Sequence, residues 1–151
     1  MKNVTKKLTI FFFLFTIFLL LIFFNLTKAQ QDIASSKTPQ YTTTLLDSPT
    51  LTSINKPVNF SWNVVAPNTA NTTLTTIYYG FVSTPSALTI KDSPQAVGYP
   101  QSLSDYQNGR FFLPDTFSAS TSFLKGTVYY RAYALVGNQH LWSPETKLVI
   151  K

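Results

Sequence analysis

Cysteine is absent from this sequence, and histidine, methionine and glutamate occur once each. The missing cysteines exclude a disulfide framework, a thiolate metal site and a lipid-modified cysteine behind a hydrophobic segment. With His140 the sole histidine and Glu145 the sole glutamate, neither a zinc ligand set nor a Ser-His-Asp triad finds its partners, and His140 is expected in a turn. Asp92, Asp105 and Asp115 are separated by 10 or more residues and form no Asp-x-Asp-x-Asp loop. Neither a calcium site nor the carboxylate pair of a glycoside hydrolase is expected from them. The sequence thus predicts no catalytic residue, no cofactor and no metal.

Charge is sparse too, at 12% of residues, and the formal net of +6 is a poor guide to partners. Lys2, Lys6, Lys7 and Lys28 crowd the N-terminus, so that from Gln30 onward 8 Lys/Arg face 6 Asp/Glu. A net of +2 without a basic stripe gives no footprint for nucleic acid.

What is present begins with a 17-residue run, Leu8 to Phe24, in which Thr9 and Thr16 are the only polar residues. Three lysines precede it and a polar stretch to Gln30 follows, the order of a secretory signal. As a helix the run would be about 26 Å long, between a signal core and a full membrane span. Thr27 and Ala29 offer small residues for cleavage near Ala29, and retention as a single-helix anchor fits equally well. Either outcome leaves the basic flank inside and everything after Ala29 outside the cytoplasm. Seven phenylalanines and no polar face argue against a buried core helix. A pilin-like leader would need a processing glycine and an acidic residue within the run, and neither is there.

Residues 30–41 are polar and aperiodic, a spacer. Thereafter Thr, Ser, Tyr, Val and scattered Pro favour strands joined by turns. Val58, Phe60, Trp62 and Val64 alternate with Asn59, Ser61 and Asn63 as a half-buried antiparallel strand requires. After a turn over 67–73, residues 75–82 predict a second strand with Ile77, Tyr79 and Phe81 inward. Residues 127–136 predict another, with Val128, Tyr130, Ala132, Ala134 and Val136 inward and Tyr129, Arg131 and Tyr133 on the outer face. Gly137 and Asn138 make a turn, and 147–151 a closing strand. Between Ser83 and Phe123 prolines break the pattern, leaving short strands near 87–90 and 110–113. No helical periodicity follows Phe24. Such spacing predicts a single all-β domain over 42–151, a Greek-key sandwich of about seven strands behind one N-terminal hydrophobic helix.

Three segments stand out together: Leu45-Leu46-Asp47-Ser48-Pro49 with Val58-Asn59-Phe60-Ser61-Trp62, the run Leu124-Lys125-Gly126-Thr127-Val128-Tyr129-Tyr130-Arg131-Ala132-Tyr133-Ala134, and Trp142-Ser143-Pro144-Glu145. They resemble the fibronectin type III-like, immunoglobulin-like domains of bacterial surface and secreted proteins. The first is similar to the opening Leu-x-Ser-Pro and the first core strand with its buried Trp, the second to the lead into the penultimate strand, and the third to the closing segment. The spacing is one residue short between Gly126 and Ala134, which predicts a bulge or shifted register there.

The resemblance implies a non-catalytic, extracytoplasmic binding or spacer module of the cell envelope, with a protein or polysaccharide partner. If the N-terminal helix is uncleaved, the membrane is a further partner. The alternative is a carbohydrate-binding module using exposed aromatic residues, for which the row Tyr129, Arg131 and Tyr133 is the candidate ligand surface. Cross-strand packing is the competing explanation of that row. Leu113-Pro114-Asp115-Thr116 imitates the start of a sortase signal but has Phe117 in place of glycine. Asn59-Phe60-Ser61 and Asn71-Thr72-Thr73 are glycosylation sequons.

Overall fold

A computed structural model of the chain describes residues Gln40 to Lys151. The apolar segment 1–29 and the spacer as far as 39 lie outside the described residues. Among these residues strands account for 54% and helix for 4%, arranged as two sheets. No helix among them is long and apolar enough to cross a membrane.

The alternation in β3 (Pro57–Val65) decides the first sheet. Val58, Phe60, Trp62 and Val64 are buried, while Asn59 is exposed and Ser61 and Asn63 are half-buried. On one side β3 pairs antiparallel with β1 (Thr42–Asp47), and on the other with β7 (Asp115–Ser122). The sequence pattern left β7 unmarked because only Phe117 and Ala119 are apolar and buried in it. Its serines and Thr116 form the polar outer face of a sheet whose hydrophobic face comes mostly from β3, while Thr121 turns inward opposite Val58.

The second sheet runs β2 (Leu51–Thr52), β10 (Thr146–Ile150), β8 (Gly126–Val136), β4 (Ala70–Gly80), β5 (Gln101–Ser102), with β6 (Phe111–Leu113) also pairing β4 and β9 (Gln139–Trp142) also pairing β8. The β2–β10 pair is parallel and the others antiparallel. Ten strand segments therefore stand where about seven were expected among the described residues. The all-β sandwich is as read from the sequence.

Between the sheets the core is densely aromatic. Phe60 meets Tyr130 edge-on at 4.9 Å and Trp62 stacks near Phe117 at 5.9 Å. Trp62 Nε1 donates to Thr75 Oγ1 at 2.8 Å, which satisfies the one polar atom the indole brings inside. The Thr75 hydroxyl donates in turn to the Tyr133 carbonyl at 2.7 Å.

Several expectations change. β4 begins at Ala70, so the turn is shorter than 67–73, and it ends at Gly80. Phe81 is 61% exposed instead of inward. At Gly80 a Cβ would lie 3.1 Å from Pro100 Cδ, so a returning loop presses on the strand end and the chain leaves the sheet there. Residues 87–90 form no strand, and a one-turn helix, α1 (Pro94–Val97), follows them, closed by Gly98 at φ 83°. No bulge interrupts Gly126–Tyr130, which pairs in continuous register with β10. The irregularities lie instead between Leu45 and Asp47 and between Thr72 and Leu74. At the latter the Thr72 hydroxyl lies 2.8 Å from the Leu74 carbonyl and 2.7 Å from that of Leu135, occupying the gap left in the ladder.

The turn at Gly137 and Asn138 stands as read, with Gly137 at φ 59°. His140, expected in a turn, lies within β9 because the chain pairs back on β8 immediately after that turn.

Candidate functional site

The middle of the 130–134 stretch does not obey strand alternation: Tyr130, Arg131, Ala132, Tyr133 and Ala134 are all buried. Alternation requires one face to meet solvent, and here both are covered. The core covers one. On the other, the chain between Gly80 and β5 folds over the sheet and Trp142 packs beside it.

Arg131, at 3% exposure, is the centre of this second layer. Its Nε donates to Tyr99 Oη at 2.9 Å and its Nη1 to the Ser143 carbonyl at 2.9 Å. Its Nη2 donates to the carbonyls of Thr84 and Ser86, at 2.8 and 3.0 Å. Tyr99 passes the connection on by donating its hydroxyl proton to Glu145 Oε2. Glu145 also accepts from Ser83 Oγ at 2.5 Å, from the Thr84 amide at 2.8 Å and from Thr84 Oγ1 at 3.1 Å.

The electrostatics follow from these bonds. Burial pushes the Glu145 carboxyl up, but the donors Ser83, Tyr99 and Thr84 together outweigh it and hold the group below the usual carboxylate range. Burial, reinforced by the bond to Glu145, pushes the Tyr99 phenol up. The assembly is therefore a carboxylate, a neutral phenol and a guanidinium in series, bordering an open cleft of about 470 Å³ that Pro85, Leu88 and Trp142 also line.

This arrangement can hold a loop against a sheet. It has little left for chemistry, since Arg131 spends its fork on four acceptors and Glu145 already takes four donors. Ser143 is equally committed: its Oγ accepts from the Ala132 amide at 2.9 Å and donates to the Pro144 carbonyl at 3.0 Å.

The expected ligand row does not form an exposed surface. Arg131 and Tyr133 are 3% and 1% exposed, and Tyr129 alone keeps part of its ring in solvent. Tyr133 is enclosed by Tyr78 at 5.3 Å and Trp142 at 4.5 Å, and its hydroxyl lies 2.7 Å from His140 Nδ1. Burial pushes the Tyr133 phenol well above its ordinary range.

The aspartates stay apart. Asp92 caps the Thr89 amide at 2.6 Å, Asp105 is exposed in the loop after β5, and Asp115 opens β7 and accepts from the Thr116 amide at 2.8 Å. Among the described residues no three His, Cys, Asp or Glu side chains gather as a metal site. The Leu113–Thr116 motif is the junction of β6 and β7, with Leu113 in the core. Asn59 is exposed on the outer face of the first sheet, whereas Asn71 is half-buried with its Oδ1 enclosed and unpartnered.

A second, smaller groove of about 230 Å³ lies beside β1, with Tyr41, His140 and Trp142 on its walls and Thr43 among its lining residues. Thr43 is 4% exposed and its hydroxyl has no partner. Sequence reasoning found neither this groove nor the Glu145–Tyr99–Arg131 series. The signal available for the latter was a single Arg flanked by apolar residues in a strand.

No protein-family model matches the chain, and no curated protein is similar to it in sequence. Among solved structures it is similar to one chain of a crystal structure of the complex between zinc 2-glycoprotein and prolactin inducible protein from human seminal plasma. Identity is 12% and the TM-score 0.43, over 78% of this chain and 99% of that one.

Proposed function

We propose that the protein is a non-catalytic, extracytoplasmic binding or spacer module of the cell envelope, built as a fibronectin type III-like sandwich. The observation that carries this reading is the saturation of the polar groups bordering the cleft at Arg131. Arg131, Glu145, Tyr99 and Ser143 bind one another and the neighbouring backbone, so the cleft works as a clasp that fixes the covering loop. The strand order β1-β3-β7 in one sheet and β10-β8-β4 at the centre of the other supports an immunoglobulin-like arrangement. The basic, apolar N-terminal run supports export.

N-terminal mass determination on membrane, soluble and extracellular fractions of the host tests it. A chain starting near Gln30 outside the cytoplasm, or an intact one in the membrane, is the expected result; an intact chain in the cytoplasmic soluble fraction overturns the reading.

A second reading, carbohydrate binding, draws support from the groove beside β1, whose lining includes the aromatic side chains of Tyr41 and Trp142 together with His140. Soluble polysaccharides titrated against a Trp62→Phe variant, in which Trp142 is the remaining indole, should change its fluorescence if this groove binds them. An unchanged spectrum removes that reading.

A further inference from the structure

At the end of the sandwich remote from Thr42 several strand ends converge. Pro57 lies opposite Ser122, Gly126 opposite Ile150, Thr52 beside Ile150 and Gly80 opposite Tyr129. The loops leaving these positions expose Ile54 at 42%, Phe81 at 61%, and Val82 and Leu124 at 76% each. Leu51, 61% exposed, sits beside Val149 on the adjoining outer face. Five of the nine exposed large hydrophobics among the described residues are thus at this end. Bonds from the Ile54 amide to the Lys151 carbonyl and from the Asn55 amide to the Phe123 carbonyl, 3.1 Å each, tie the loops together. Tyr129, the solvent-reaching member of the ligand row, lies opposite Lys147 on the same face.

Apart from the Glu145 carboxylate, which is taken up by Ser83 and Thr84 beside Val82, the charges around these side chains are positive. Of the five lysines among residues 40–151, four belong here, Lys56, Lys125, Lys147 and Lys151, and all four are exposed. The acids are elsewhere or engaged: Asp47 is opposite Ser61, Asp115 opposite Val64 at the other end, Asp92 on Thr89, Asp105 in the loop beyond β5, and Glu145 is held by its four donors.

We propose that this end docks onto an anionic lipid surface. Phe81, Val82, Leu124 and Ile54 enter the boundary between headgroups and acyl chains, and the lysines face the lipid phosphates. Exposures of 61 to 76% at Phe81, Val82 and Leu124 belong to projecting side chains, which suit a yielding bilayer better than the packed centre of a protein interface. The inference rests on the extracytoplasmic reading only for which membrane face is met.

Flotation with lipid vesicles tests the proposal on the chain starting at Gln30, since both sheets and their core lie within the compact unit Pro39–Lys151. The protein should float with phosphatidylcholine–phosphatidylglycerol vesicles and not with phosphatidylcholine alone. Phe81→Ser combined with Leu124→Ser should weaken binding about tenfold or more, and Lys56→Gln or Lys125→Gln about fivefold each. Phe112→Ser, an exposed ring elsewhere at 63%, serves as the control and should leave binding unchanged. Absence of flotation, or flotation indifferent to the Phe81/Leu124 pair, overturns the proposal. Lysine-dependent binding to polyglutamate without vesicle binding overturns it in favour of an acidic protein partner. Fractionation of the host protein reads the extracytoplasmic assignment independently, so the two failures are separable.

Discussion

A guanidinium at 3% exposure has lost nearly all its hydration, and Arg131 recovers it through bonds to Tyr99 and to three carbonyls on two segments of chain. Removing one side of such a set costs more than the bonds return, because the acceptors stay buried without donors. Arg131→Met should therefore destabilise the fold by roughly 2–4 kcal/mol in denaturant titration. Arg131→Lys keeps the charge but not the planar fork, and should recover only part of that loss. Glu145 supplies a pH dependence. Its carboxyl is held below the usual range in the folded chain, so the folded form binds its proton less readily than the unfolded one. Its contribution is complete above the ordinary carboxylate range and is lost as pH falls through and below it. In thermal melts the wild type should exceed Glu145→Gln at neutral pH, with the gap closing as the medium is acidified. A gap that stays constant with pH would place the effect in packing instead.

At the scale of elements, β7 shows how an edge strand is kept from pairing with strangers. It lies at the end of the order β1-β3-β7 and contains neither lysine nor proline, the usual protections of an exposed edge. Tyr106 supplies another: its hydroxyl donates to the Ser118 carbonyl at 3.2 Å, and its ring meets Trp62, Phe111 and Phe117 at 6.0, 5.5 and 5.2 Å. Tyr106→Phe should cost about 1 kcal/mol through the lost bond. Tyr106→Ala should cost about 3 kcal/mol and also promote self-association in sedimentation velocity, since the ring that covers the edge is gone. If the alanine variant is destabilised but stays monomeric, the ring is packing and not a guard. The same two elements explain what the sequence let one read. β3 was legible because its alternation is strict and one of its faces stays in contact with water. β7 was not, because a strand of Ser, Thr and Ala carries almost no hydrophobic period, and Tyr106 acts from a loop 12 residues away from the carbonyl it caps.

For the whole molecule the decisive feature is that the sheet β10-β8-β4 is buried on both faces near Arg131. A period-of-two reading assigns the second face to solvent, which is why Arg131 and Tyr133 read as an exposed ligand row and prove to be interior. Nothing local in the 83–110 stretch announces that it folds back over the sheet, since many of its ties are backbone carbonyls that accept from Arg131, the His140 amide and Trp142 Nε1, and others are Ser83, Thr84 and Tyr99 bonding to Glu145 and Arg131 far along the chain. Whether that covering layer is part of the cooperative fold or a separable lid is a physical question with two reporters in place. Trp62 sits between the sheets, and Trp142 sits beneath the covering loop, where its Nε1 donates to the Asp92 carbonyl at 2.8 Å. In Trp62→Phe, fluorescence reports the covering layer alone while far-ultraviolet circular dichroism reports the sheets. The buried charge argues for one transition, because lifting the loop would strip Arg131 of the Thr84 and Ser86 carbonyls while the guanidinium remained attached to the sheet. The two denaturation curves should therefore coincide. An indole transition at lower denaturant would instead define a layer that opens before the sandwich unfolds, and Arg131→Met would then shift that first transition and leave the second in place.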